Sequence, residues 1–103
     1  MSQETTPMDP KIELSGFKVI DNGSMVIARK IIGSHFKRIS ELTQKMEKLH
    51  ITLKSVHERE KSEKYEVHAN LIDGGKVYSS EVTERNFNVA IDSVLQKLIN
   101  ELD

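Results

Sequence analysis

The chain has 103 residues with 37% apolar and 30% charged side chains and a net charge of −1, which fits one globular domain with a modest core and argues against indiscriminate polyanion binding. It contains no cysteine, which excludes a disulfide scaffold, a Cys-ligated zinc site and a thiol nucleophile. No apolar run of ~18 residues is present to span a bilayer, and the polar, acidic start lacks the apolar stretch of a secretory signal, so a cytoplasmic protein is expected.

Residues 1–10 are polar, hold both prolines (Pro7 and Pro10), and are expected to form a flexible tail ahead of a single domain over residues 11–103. Lys11-Ile-Glu-Leu-Ser15 alternates, with Ile12 and Leu14 on one face, and predicts a strand. Gly16 and Asp21-Asn-Gly-Ser24 mark a loop, with Ser24 as the expected N-cap. From about Met25 to Met46 the period is helical. Ala28, Ile31, Ile32, His35, Ile39, Leu42 and Met46 fall on one stripe, with Phe36 at its edge. Gly33 inside that helix costs about 1 kcal/mol relative to alanine, so the helix needs tertiary support.

A second strand is predicted over Leu49–Lys54, a charged loop over Glu58–Glu63, and a third strand over Tyr65–Leu71. Asp73-Gly-Gly75 predicts a tight hairpin, because these residues tolerate positive φ. The fourth strand falls near Lys76–Val82, with its buried face open, since Val77 and Val82 have opposite parity. A last helix runs from about Arg85 to Leu102, with Phe87, Ala90, Ile91, Val94, Leu95, Leu98 and Leu102 as its apolar stripe. Ile32, Ile39, Ile91 and Leu98 are the expected core of the helical layer.

The order β-α-β-β-β-α makes the first two strands parallel, joined by a right-handed crossover, and the hairpin neighbours antiparallel. Each strand of clear parity has one apolar face and each helix one stripe. The expected fold is therefore an α/β (α+β) two-layer sandwich, with a four-stranded mixed sheet and both helices on one face, like a double-stranded-RNA-binding domain. The opposite face, bearing His50, Thr52, Lys54, Glu66, His68 and Asn70, would meet solvent or a partner.

Catalytic patterns are missing. No nucleophile elbow, Walker sequence or dinucleotide fingerprint occurs. Gly74-Gly75 reads as turn chemistry, and His57-Glu58 has no second histidine at zincin spacing. His50 and His68 share a sheet face but have no evident third metal ligand. His35 on the apolar stripe reads as a half-buried histidine with one nitrogen satisfied. Neither enzyme activity, a cofactor nor a metal is expected. What remains is charge: residues 1–64 carry 12 Lys/Arg against 9 Asp/Glu, and residues 65–103 carry 3 against 7. The surplus is steepest over residues 29–64, with 10 against 5, and permits a local basic face.

Leu49-His-Ile-Thr-Leu-Lys54, Ile72-Asp-Gly-Gly75, and Phe87-Asn-Val-Ala-Ile-Asp92 followed by Gln96-Lys-Leu98 resemble the ribosome hibernation promoting factor family, which includes protein Y (ribosome-associated inhibitor A). That family carries a V-x-L-K strand, an N-G-G hairpin and an A-I-D-x-x-x-x-K-L final helix. Arg29, Phe36, Arg38 and Ile39 match its first helix, and the likeness extends from about Ile12 to Leu102. The chain departs from the family in its longer loop after the first strand, in Asn88 for a common aromatic and in Asn100 for a frequent Arg. It also ends at Asp103 without a basic tail or further domain, so the short single-domain form is implied.

The resemblance implies a non-catalytic factor that lodges in the mRNA/tRNA channel of the small ribosomal subunit, against its 16S-type rRNA, and silences idle ribosomes under stress. Arg29, Arg38, Lys54 and Lys97 fall where the family has basic residues, and His35 falls where it usually has Lys or Arg. Lys30, Lys37 and Lys45 complete the candidate RNA-binding set. Arg38 and Lys45 are expected at one edge of the first helix's stripe and Arg29 at the other. No membrane or small-molecule substrate is implied, and the free chain is expected to be a monomer. The alternatives are a protein-interaction module, in keeping with the negative net charge and the acidic last helix, or a general structured-RNA binder on the same fold.

Overall fold

The computed structural model describes residues 8–58 and 62–103. It contains β1 (Ile12–Ser15), a single 3-10 turn (Phe17–Val19), α1 (Asn22–Leu42), β2 (Met46–Glu58), β3 (Ser62–Asp73), β4 (Lys76–Glu84) and α2 (Phe87–Leu102). The sheet order is β1-β2-β3-β4. β1 and β2 are parallel, and the other neighbours are antiparallel. The order β-α-β-β-β-α and the mixed four-stranded sheet agree with the sequence reading.

The residues just ahead of β1 make contacts with the domain. Met8 packs against the core, and the Asp9 side chain and backbone accept from Lys11 and Ile12, which turns the chain into β1. The expected tail's first seven residues lie outside the described residues.

Gly16 ends β1 with a φ of 84°. A Cβ there would sit 2.2 Å from the Leu53 carbonyl oxygen, so only glycine can bring the chain past β2 at this point. The 3-10 turn then carries Phe17 into the core and delivers Asp21, not Ser24, as the N-cap of α1. The Asp21 carboxylate accepts from the Ser24 backbone N–H at 3.0 Å. The helix therefore starts three residues before Met25, including Gly23 in its first turn. It also stops at Leu42 rather than Met46. The Thr43 hydroxyl donates to the Ile39 carbonyl, the backbone turns extended, and Met46 opens β2 instead.

The strands are longer than predicted because cross-strand hydrogen bonding recruits polar residues that hydropathy alone does not mark. Glu58 and Ser62, near the two ends of the predicted charged loop, are paired in β2 and β3, and residues 59–61 lie outside the described residues. Asp73 pairs with Lys76 across a two-residue turn, whose Gly74 and Gly75 have φ of 57° and 87°, the requirement of a type I′ hairpin. Leu49, Ile51, Leu53, Val67, Ala69 and Leu71 are buried under the helices. The register Val67–Val82 and Leu71–Tyr78 then settles β4. Tyr78, Ser80 and Val82 turn toward the helices, while Val77 is 65% exposed on the open face.

α2 is capped by Asn86, whose side chain accepts from Val89 N–H, so it starts at Phe87 rather than Arg85. Its buried residues include Ile99 besides the predicted stripe, while Leu102 is half-buried. Phe87 meets Phe17 and Tyr65 edge-on, with ring centroids 5.9 and 5.8 Å away. These contacts tie the start of α2 to the 3-10 turn after β1 and to β3. Ile32, Ile39, Ile91 and Leu98 are fully buried, as expected.

Candidate nucleic-acid interface

β4 runs in the same sense as β1 and β2. Each helix returns across the same sheet face after such a strand, so α1 and α2 lie side by side pointing the same way. The helical layer then has a seam between the helices, an outer surface, and two flanks over β1 and β4. The seven candidate cations and His35 are spread over these places, the hairpin end and the open sheet face, and do not form one cluster.

α1 carries four cations and one carboxylate, Glu41. Lys30 and Lys37 are seven residues apart, so they stand on one line of the helix, opposite the buried row Met25, Ala28, Ile32 and Ile39. Both are exposed and neither has an ion pair among the described residues. Arg38 lies one step round toward the seam, exposed, and touches Glu41 at 3.4 Å. At half exposure on both sides this pair leaves the guanidinium open to competition from a phosphate. Arg29 occupies the opposite flank, half-buried beside Leu14, Phe17 and Met25. Lys30, Lys37 and Arg38 make a rigid basic ridge along the outside of α1, with Arg29 apart from it on the other flank.

The remaining candidates sit elsewhere. His35 enters the seam, half-buried, with Nε2 2.8 Å from Asp92 Oδ1 on α2. Its observed role is to join the two helices, as its place on the stripe suggested. Asp92 is the partner that sequence reading did not assign. Its signal was the one acidic residue in the N-terminal half of α2. Lys45 lies past the end of α1, not at its stripe edge. Its backbone N–H donates to Asp73 Oδ1 at 2.7 Å and its carbonyl accepts from Gly74, so the loop is clasped to the β3–β4 hairpin. Lys76, not singled out from sequence, joins Lys45 at this end of the sheet. Lys97 lies on the β4 flank, and its ammonium donates to the Glu81 carbonyl at 3.0 Å.

Lys54 is exposed on the open sheet face, separated from α1 by the sheet itself. Its neighbours there are internally matched. Lys48 pairs with Glu13 at 2.7 Å, and that contact holds the Glu13 carboxyl below its ordinary value. Ser15 bonds His50 at 2.8 Å. His68 faces Glu66 with one ring nitrogen and Glu81 with the other. The hydrogen bond from His68 lowers the Glu66 carboxyl. His50 and His68 thus each have separate partners, and no group of three metal-ligating side chains occurs among the described residues. Within those residues no helix is long and apolar enough to cross a membrane.

A two-layer α/β domain with a cationic ridge on its first helix is the class these observations define. The family model for sigma 54 modulation protein / S30EA ribosomal protein matches residues 28–103, from the first turns of α1 through all of α2. The chain belongs to that family. Its fold is similar to that of a ribosomal subunit interface protein from Coxiella burnetii, with a TM-score of 0.61 and 19% identity over 88% of this chain and 91% of that one. It is likewise similar to the N-terminal domain of Protein Y from Thermus thermophilus, with a TM-score of 0.54 and 15% identity over 92% and 96% of the two chains. No curated protein sequence matches it.

Proposed function

We propose that this domain is a non-catalytic factor that binds the small ribosomal subunit in its mRNA/tRNA channel and holds back translation in idle or stressed cells, acting in the cytoplasm. The observation that carries the reading is the family match over residues 28–103, which spans the helix bearing the ridge. Guanidinium and ammonium donors on a rigid helix meet phosphates of folded RNA without reading sequence. Lys30, Lys37 and Arg38 are the contacts this geometry favours, and Arg29 would reach RNA only from the other flank of α1. His35 supports them by locking α1 to α2. Lys45 and Lys54 are secondary contacts at other surfaces, and Lys97 is committed to the Glu81 carbonyl.

Co-sedimentation with purified small subunits across a salt series tests the reading. Binding should weaken linearly in log salt, with a slope of about −0.7 to −0.9 per phosphate contact. Replacing Lys37 and Arg38 together by glutamine should lower affinity and flatten the slope by about one to two. Wild-type protein remaining at the top of the gradient in low salt would refute ribosome binding. An unchanged slope in the double variant would move the interface off α1.

A further inference from the structure

The outer edge of β4 is a second surface, and its geometry follows from the hairpin. Flanking a two-residue turn, Asp73 and Lys76 form a hydrogen-bonded pair. By alternation Tyr78, Ser80, Val82 and Glu84 also bond to β3, while Val77, Ser79, Glu81 and Thr83 turn their N–H and C=O groups outward. The same alternation carried across the sheet makes Leu49 face β1, and its N–H indeed donates to Lys11 O at 2.8 Å. β4 ends the sheet. Beside it runs a shallow groove of about 410 Å³ lined by Ser79, Ser80, Glu81, Lys97, Asn100 and Glu101. The opposite edge differs, because β1 has only four residues and Gly16 and the 3-10 turn follow at once. β4 offers nine.

We infer that this edge is a self-association surface, on which β4 of a second copy pairs antiparallel to join the two sheets, and that Lys97 guards it. The strand Lys-Val-Tyr-Ser-Ser-Glu-Val-Thr-Glu is self-complementary about Ser80. A two-fold axis there sets Val77 against Thr83 and Ser79 against Glu81, so the outward-turned residues of both copies exchange backbone hydrogen bonds. It also sets Lys76 opposite Glu84 at both ends, an opposite-charge pair in the sense that stabilises neighbouring strands. Centring one residue later would put Glu81 against Glu81, and centring one residue earlier would lose both Lys–Glu pairs.

In the free chain the Lys97 ammonium occupies the Glu81 carbonyl, the acceptor that Ser79 N–H of the second copy needs. A lysine lying on an exposed edge is a known physical means of blocking strand addition. The edge is thus closed by one long, exposed side chain, and displacing it opens the pairing register.

Sedimentation velocity from micromolar to millimolar concentration tests this. Wild-type protein should show a weak, concentration-dependent dimer, and Lys97→Met, which keeps the apolar stem, should tighten it severalfold. Ser79→Pro removes an outward N–H that β3 does not use, a place where an edge strand tolerates proline. It should leave the thermal midpoint near wild type and abolish the dimer, also when combined with Lys97→Met. Lys76→Glu should weaken association severalfold, and Lys76→Glu with Glu84→Lys should restore it. The inference is overturned if Lys97→Met stays monomeric at millimolar concentration, or if folded Ser79→Pro dimerises as the wild type does.

Discussion

The two helices cover the same sheet in different ways. α2 approaches β3, β4 and α1 closely, whereas the close backbone neighbour of α1 is α2. Small residues allow the first arrangement. Ala69 and Ala90 are fully buried, and the Ser80 hydroxyl reaches the Val94 carbonyl at 2.8 Å. α1 also buries Ala28 but otherwise stands off on Met25, Ile32, Phe36 and Ile39. Of 16 residues α2 buries seven, and of 21 α1 buries four. A helix that buries less keeps more positions open to solvent, and α1 fills them with Arg29, Lys30, Lys37 and Arg38. The contrast separates an anchoring helix from a presenting one.

The largest test of that contrast is truncation of the anchor. Leu98→Ala removes a fully buried side chain and should cost ~2–5 kcal/mol, read as a lowered denaturant midpoint. Val26→Ala on α1, at a side chain 48% exposed, should stay within ~0.5 kcal/mol. A comparable loss at both sites would end the distinction.

Gly33 offers a change of opposite sign. It is exposed in mid-helix, with no neighbouring atom within 4 Å of a built Cβ. Gly33→Ala should therefore stabilise the protein by ~0.5–1 kcal/mol. Gly16→Ala should strongly destabilise, since its Cβ would strike the Leu53 carbonyl. Thermal melts of the two variants should move in opposite directions.

The two caps differ in chemistry, and pH resolves them at a smaller scale. Hydrogen bonding from the Ser24 backbone holds the Asp21 carboxyl below its ordinary 3.8. A carboxylate lowered on folding contributes stability that is complete above its unfolded value and is lost as pH falls through the folded one. The start of α1 should therefore loosen below about pH 4, in hydrogen exchange of its first amides, while the Asn86 cap of α2 has no such titration. Asp21→Asn should keep α1 capped at neutral pH and remove the acid-linked part. Glu13 and Glu66, lowered by Lys48 and His68, add to acid loss across the open face in the same direction.

Much of this fold was written locally. Two helical stripes, alternating strands and Asp73-Gly-Gly75 determined the element order and the two-layer packing, because periodicity and turn chemistry act between near neighbours. The helix ends were less legible. Asp21 and Ser24 are both good caps, and the choice fell to the 3-10 turn that Gly16 makes possible. The face of β4 was undetermined by its own residues and was decided by its register on β3. The candidate site was legible as a set of cations but not as a surface. Helix periodicity grouped Lys45 with Arg38 and the family resemblance added Lys97, whereas packing carried Lys45 to the hairpin and Lys97 to the sheet edge. Sequence alone also gave His35 no partner, since Asp92 lies 57 residues away. Which side chains share a surface depends on contacts distant along the chain, and only the assembled sheet fixes those.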